Sequence, residues 1–373
     1  MCAVVLRSDL KIQENIPLAP FTTFGVGGPA RYLAEPGSET ELREALDFAT
    51  EKRLPLFVLG GGSNLVIADE GWPGLVLKIG LKGIQRRSQS GETLFQVAAG
   101  ENWDDFVAET VERNCAGIEC LSGIPGTVGG TPVQNVGAYG QDVSQTITTV
   151  RVMEIATVKI SELSNEQCGF AYRSSIFNTR ERGRYIVLEV GYRLKRDGKP
   201  TIHYADLKKF FPDAAAIPSL PQVRDAVRQI RQSKAMLLVP GDEDCRSAGS
   251  FFKNPLVNAG EAARIQALAQ QRIPDKKLPQ IRAKTGQVKL SAAWLVEQSG
   301  FHKGYSRGTV GISRKHSLAI VNRGGATARD IVSLKREIQE KVLDVWGVRL
   351  QPEPVFIGFN QPEPGADPDD QNG

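Results

Sequence analysis

The chain has 373 residues, 41% of them hydrophobic and 24% charged, with a net charge of +4. That length allows two or three domains, and the small, dispersed positive charge suits an anion site while excluding a nucleic-acid-binding protein, since no run of Lys and Arg interleaves with aromatics. No apolar stretch approaches the about 18 residues of a membrane helix, Met1–Leu10 lacks a secretory pattern, and the five cysteines (Cys2, Cys115, Cys120, Cys168, Cys245) fit no zinc spacing, so a cytoplasmic, metal-free protein is expected.

In chain order, the first helix begins at Ser38, where Ser38 and Glu41 form a capping-box pattern and Leu42, Ala45, Leu46 and Ala49 recur at helical spacing. The apolar run Leu54–Leu59 reads as a buried strand leading into Gly60-Gly-Gly-Ser-Asn64, and a strand at Leu75–Ile79 follows, which makes residues 20–80 a small α/β unit. Thr93–Ala99 is a strand, and a helix from Asn102 carries Trp103, Phe106, Val107 and Val111 on one face. Past a glycine-rich stretch come strands over Thr146–Ile155 and Arg184–Lys195. In the second of these Ile186, Leu188, Val190, Tyr192 and Leu194 alternate with mostly polar partners, so this part reads as α+β around a mainly antiparallel sheet. Helical spacing returns at Val223, Ala226, Val227 and Ile230. Two further helices follow, one from Ser291 with Trp294 and Leu295 to a stop at Gly300, the other from Thr327 with Ile331, Leu334, Ile338 and Leu343 to a stop at Gly347. A strand at Leu318–Asn322 lies between them, and the acidic, Pro-rich tail from Gln361 reads as disordered.

Two glycine clusters carry the chemical signal. Gly60, Gly61 and Gly62, with Ser63, Asn64 and Leu65, follow a buried strand and leave backbone N–H groups free to converge on a diphosphate. The segment is neither the G-x-G-x-x-G fingerprint nor a P-loop, and an unliganded sharp turn is the alternative. The second cluster takes in Ser122, Gly123, Ile124, Pro125, Gly126, Thr127, Gly129 and Gly130, then Gly137, Ala138, Tyr139 and Gly140. So much glycine would destabilise any helix or strand it interrupted, and it suits a flat ligand laid against bare backbone. Together the clusters point to an extended dinucleotide, with irregular loops as the alternative.

Gly60–Asn64, Ile124–Gly130 and Pro132–Gly140 resemble the FAD-binding segments of the UDP-N-acetylenolpyruvoylglucosamine reductase family. The resemblance continues through Ala171–Phe177, Ser247–Pro255 and Leu350–Gly358, and so spans about residues 15–358 in order. It implies an α+β protein whose FAD-binding fold is of the vanillyl-alcohol-oxidase (PCMH) type. Two subdomains, 1–80 and 81–235, would form that fold, and 236–352 would be an α+β domain for the UDP-sugar. A strand at about 353–360 would return to the first part, leaving 361–373 as a tail. The resemblance also implies FAD as cofactor and NADPH as reductant. The substrate would be UDP-N-acetylglucosamine enolpyruvate, reduced to UDP-N-acetylmuramate for peptidoglycan, and a monomer is expected.

Residue by residue, the resemblance makes Arg173 the cation on the substrate carboxylate, Ser250 the proton donor and Glu353 the residue that polarises the substrate or assists Ser250. It assigns the flavin to the two glycine clusters and Ile186, and the UDP-sugar to Tyr204, Lys234, Lys253, Asn254 and His316. The long segment 196–245 resembles the type I branch. Thr131, Gln351 and Ser174-Ser175 depart from the pattern. An oxidase on the same scaffold, or a flavin or UDP-sugar binding protein without turnover, are the other readings.

Overall fold

The structure is a computed structural model and describes residues 10–213, 216–282 and 286–359. The acidic tail expected to be disordered lies outside them, as does Cys2. Helix α1 (Glu39–Glu51) starts where the sequence predicts: the Ser38 hydroxyl accepts the Glu41 N–H at 3.2 Å. The Glu41 carboxylate reaches one residue further back than a capping box requires, to the Gly37 N–H at 2.7 Å. Leu42, Ala45, Leu46 and Ala49 are all buried.

This helix covers a four-stranded sheet ordered Ile12–Pro17, Pro29–Ala34, Trp72–Lys78, Leu56–Leu59. The last three strands run parallel and the first is antiparallel to its neighbour. The next sheet is antiparallel throughout, as the alternation in its central strand implies. Its order is Ile160–Ser164, Ile147–Glu154, Tyr185–Arg196, Glu92–Ala98, Ile84–Gln89. Helix α2 (Trp103–Glu112) packs on it through Trp103, Phe106, Val107 and Val111. One hydrophobic core runs through both sheets, holding Leu42 and Leu77 together with Phe95, Phe106, Val150 and Tyr192. Thr131, at the edge of the glycine loop, is buried, and its hydroxyl meets the Tyr192 hydroxyl at 2.7 Å.

The segment 196–245 forms a short helix α3 (Ala205–Phe210) and the longer α4 (Leu220–Ser233). α4 lays Val223, Ala226, Val227 and Ile230 against Cys120, Tyr139 and Leu207 in a satellite core. The C-terminal part builds its own core from α5 (Ala259–Arg272), α6 (Ala292–Glu297), α7 (Ala328–Trp346) and two three-stranded sheets. Phe24 and Val66, from the N-terminal part, are embedded in it. α5 is absent from the sequence reading because its inner face is only Ala262, Ile265 and Ala269, too thin a stripe to stand out. Leu343 is a correction: it is 39% exposed, while Val342 and Trp346 take the inner face of α7. Counting in threes and fours from Ile331 through Leu334 and Ile338 leads to Val342, so Leu343 lies a residue past the stripe. After Pro352 the chain pairs Val355–Ile357 in parallel with Leu65–Ile67. That pairing brings the C-terminal segment beside the first glycine loop.

Candidate active site

The first glycine loop leaves its strand at Leu59 and is shaped by close approach. Gly62 has φ +63°, and a Cβ there would stand 1.7 Å from the Phe21 carbonyl oxygen. A Cβ on Gly61 would lie 2.4 Å from the Cα of Gly126, so the two glycine clusters abut backbone to backbone. Among the described residues, the N–H groups of Gly60 through Asn64 donate to no other group, and neither do those of Ile124, Gly126 and Thr127. Such rows of unspent donors beside an open cleft fit a diphosphate. The two loops therefore fit the diphosphate of a dinucleotide cofactor.

The second loop is pinned from below. The Gly123 N–H donates to Asp104 Oδ1 at 2.6 Å, and its carbonyl accepts from Arg231 Nε at 3.0 Å. Arg224 and Arg228 also bond Asp104, and with Gly123 they hold its carboxyl below the usual range despite burial.

Both loops line one cavity of about 1210 Å³. That exceeds the roughly 300–1,000 Å³ of a single drug-sized site and leaves room for a dinucleotide and a second ligand. Arg173 enters the cavity from a tight turn in which its own backbone is left-handed, at φ +56°, a conformation that costs a non-glycine residue of order 1–2 kcal/mol. Its Nη1 donates to the Gly137 carbonyl at 2.8 Å, and its Nε lies 3.0 Å from Glu353 Oε1. The buried Nε–H makes no directed hydrogen bond, so the contact with Glu353 is ionic.

Glu353 is held by its backbone. Its N–H donates to the Phe251 carbonyl at 2.8 Å, and its carbonyl accepts from Asn64 Nδ2 at 3.1 Å. Burial raises its carboxyl pKa, opposed by the charges of Arg173 and Lys253. The pairing of Phe252 with Pro352, and the bond from Lys253 N–H to the Gln351 carbonyl, lay the Ser250–Lys253 segment alongside. Ser250, after Gly249 at φ +70°, lines the cavity, and its hydroxyl has no partner among the described residues.

A second group of side chains gathers where α3 and α4 meet the cleft. Lys234 caps α4 and bonds Asp206 at 2.6 Å. It lies over the ring of Tyr139, which Tyr204 meets edge-on at 5.5 Å. His316 lines the same cavity; its Nδ1 accepts the Leu318 N–H at 3.0 Å, which leaves the ring proton on Nε2. Burial, then the charges of Lys234 and Lys303, push its pKa down to about 4, so it is neutral at ordinary pH. Lys253 and Asn254 line the cavity too, and Asn254 Oδ1 also caps α6 through the Ala292 N–H.

Of the residues expected at the site, Ser122, Gly123, Gly140 and Ile186 do not line the cavity. The Ser122 hydroxyl is spent on the Glu119 carbonyl at 2.6 Å, and Gly123 is held by Asp104 and Arg231. Ile186 is wholly buried in the core, and its neighbours Tyr185 and Val187 face the cavity instead. The alternation that places Ile186 on the inner face signals this, because odd-numbered neighbours must point the other way. Arg231 was missed: it sits on the apolar stripe of α4, and a charge on a buried face is the signal that finds it.

Among the described residues no cluster of His, Cys, Asp or Glu could hold a metal, and no helix is long and apolar enough to cross a membrane. Residues 30–164 match the family model described as FAD binding domain, and the protein is of that FAD-binding class. Residues 240–357 match the model of the UDP-N-acetylenolpyruvoylglucosamine reductase C-terminal domain. The reductase of that name from Thermobifida fusca is 47% identical over 92% of this chain and 98% of its own, and that of Streptomyces avermitilis 43% over 94% and 97%. A crystal structure of the Thermus caldophilus enzyme superposes with a TM-score of 0.63 at 26% identity, covering 93% of this chain and 99% of that one. The chain belongs to the UDP-N-acetylenolpyruvoylglucosamine reductase family, and so is an FAD-binding oxidoreductase with the α+β fold that the sequence implies. Membership implies FAD as the cofactor and NADPH as the reductant.

Proposed function

We propose that the protein uses NADPH to reduce the enolpyruvyl group of UDP-N-acetylglucosamine enolpyruvate, giving UDP-N-acetylmuramate for peptidoglycan. The observation that carries this reading is the meeting of Arg173 and Glu353, in the cavity that Ser250 lines, beside two glycine loops with unspent amides.

Residues Gly60–Asn64 and Ile124–Thr127 would hold the diphosphate of FAD, with Gly137–Tyr139 as a further wall. FAD bound there would supply hydride-transfer chemistry between NADPH and the terminal carbon of the enolpyruvyl double bond. The protein's own task is to manage the charge and the proton. As hydride adds, negative charge builds on the adjacent carbon and its carboxylate. The planar guanidinium of Arg173 can bind that carboxylate through two donors. Ser250 Oγ, free of other bonds, delivers the proton to the adjacent carbon, completing addition of one hydride and one proton across the double bond. Glu353, paired with Arg173 and held by its backbone, would steady the guanidinium and the acid's orientation. Lys234, Tyr204, Lys253, Asn254 and a neutral His316 would seat the UDP-sugar.

A monomer in the reducing cytoplasm belongs to this reading, and the four described cysteines, buried and free, suit that compartment. NADPH and the UDP-sugar would use the same cleft in turn. Initial-rate plots against one substrate at fixed levels of the other should then give parallel lines; intersecting lines would overturn the shared-cleft scheme.

A further inference from the structure

Arg173 leaves one face of its turn to a neighbour that does not reach the cavity. Tyr172 and Lys289 are absent from the cavity lining, yet Lys289 Nζ lies 4.1 Å from the centroid of the Tyr172 ring. The guanidinium carbon of Arg173 is 5.8 Å from the same centroid. The aromatic face attracts cations within about 6 Å, so two cations compete for one ring and Lys289 holds the closer place. Lys289 comes from the short strand Val288–Leu290 of the C-terminal part, whereas Tyr172 and Arg173 sit in the turn at Ala171–Ser174. Burial, and then the charge of Arg173, push the Lys289 pKa down, as expected where two like charges lie close in a partly dry site.

We propose that Lys289 and Tyr172 are positioning residues for Arg173: the lysine occupies the tyrosine ring and, by occupancy and repulsion, turns the guanidinium toward Gly137, Glu353 and the cavity. Without it the guanidinium would be drawn onto the ring and away from its contacts with Gly137 and Glu353. This device would bring the C-terminal part to bear on an arginine carried by the turn at Ala171–Ser174. The inference rests on the substrate reading above, because its kinetic readout is the reaction of the enolpyruvyl acid.

The test uses FAD-loaded Lys289→Met, Lys289→Arg and Tyr172→Leu proteins in anaerobic stopped-flow. Reduction of the bound flavin by NADPH should match wild type in all three. Reoxidation by saturating enolpyruvyl UDP-sugar should slow about tenfold in Lys289→Met, the scale of one cation–π contact, and recover in Lys289→Arg, which restores a cation over the ring. A crystal structure of Lys289→Met should show the Arg173 guanidinium moved onto Tyr172. Tyr172→Leu removes the ring and should also slow reoxidation. Wild-type reoxidation in Lys289→Met, or an unmoved Arg173, would overturn the proposal, as would equal slowing of both half-reactions in every variant. A wild-type protein that fails to reoxidise with this acid would instead overturn the substrate reading, so the two failures are told apart.

Discussion

Arg173 Nε and Glu353 Oε1 lie 3.0 Å apart, although one belongs to the turn at Ala171–Ser174 and the other to a Pro-flanked segment near the C-terminus. Removing either partner leaves the other partly buried without its counter-charge, so substitutions here test binding of the acid and the integrity of the cleft together. Arg173→Lys keeps the charge and loses the planar fork. It should retain bound FAD and its reduction by NADPH, and slow reoxidation by the enolpyruvyl sugar by roughly 10²-fold or more, the usual effect of removing one preorganised donor. Separate measurement of the two half-reactions checks this.

Ser250→Ala should likewise spare flavin reduction and cost roughly 10²-fold or more in the second half-reaction, as for the loss of a positioned proton donor. The hydroxyl has no partner to lose among the described residues, so its removal should leave thermal stability nearly unchanged. Full-rate reoxidation in this variant would remove Ser250 from the scheme.

Gly61→Ala would place a methyl group 2.4 Å from the Cα of Gly126, backbone against backbone. The loops must part, and the row of free amides with them. The variant should fold but purify with little bound flavin. Gly37→Ala meets nothing nearer than the Glu41 carboxylate at 3.6 Å, at the exposed start of α1, and should hold flavin as wild type does. Flavin content per chain, read from the absorption spectrum, decides both.

His316 yields a pH prediction. Its pKa is pushed from 6.5 in the unfolded chain to about 4 in the fold, so the fold prefers the neutral ring. That preference contributes stability fully above pH 6.5, and it is lost as pH falls through about 4. His316→Gln should therefore be less acid-sensitive than wild type. The gap in unfolding free energy should shift by roughly 3 kcal/mol at most on acidification from neutral pH. Denaturant titrations at a series of pH values would show it.

The sequence was most legible where one periodicity ruled a segment. α1 and α2 start at Ser38 and Asn102, and their inner faces follow from spacing alone. α5 was not legible because alanine buries little and marks no stripe, and Leu343 was misplaced by one residue on an otherwise correct helix. At the site, glycine clustering located both loops but could not tell a glycine required by a ligand from one required by another loop, as Gly61 against Gly126 shows. Arg173, Ser250 and Glu353 stand far apart in sequence and carry no local pattern, so only resemblance singled them out. Their meeting depends on the pairing of Val355–Ile357 with Leu65–Ile67 and of Phe252 with Pro352, long-range contacts that no window of sequence records.

The central claim, that a glycine-gripped flavin passes reducing equivalents to an acid anchored by Arg173, is tested most directly in one anaerobic cuvette. FAD-loaded protein is mixed with one equivalent of NADPH and then with UDP-N-acetylglucosamine enolpyruvate. The account predicts that the yellow colour bleaches at the first addition and returns at the second without oxygen, with UDP-N-acetylmuramate formed in step. A chain that takes up no FAD, or one whose colour returns only when air is admitted, would contradict it.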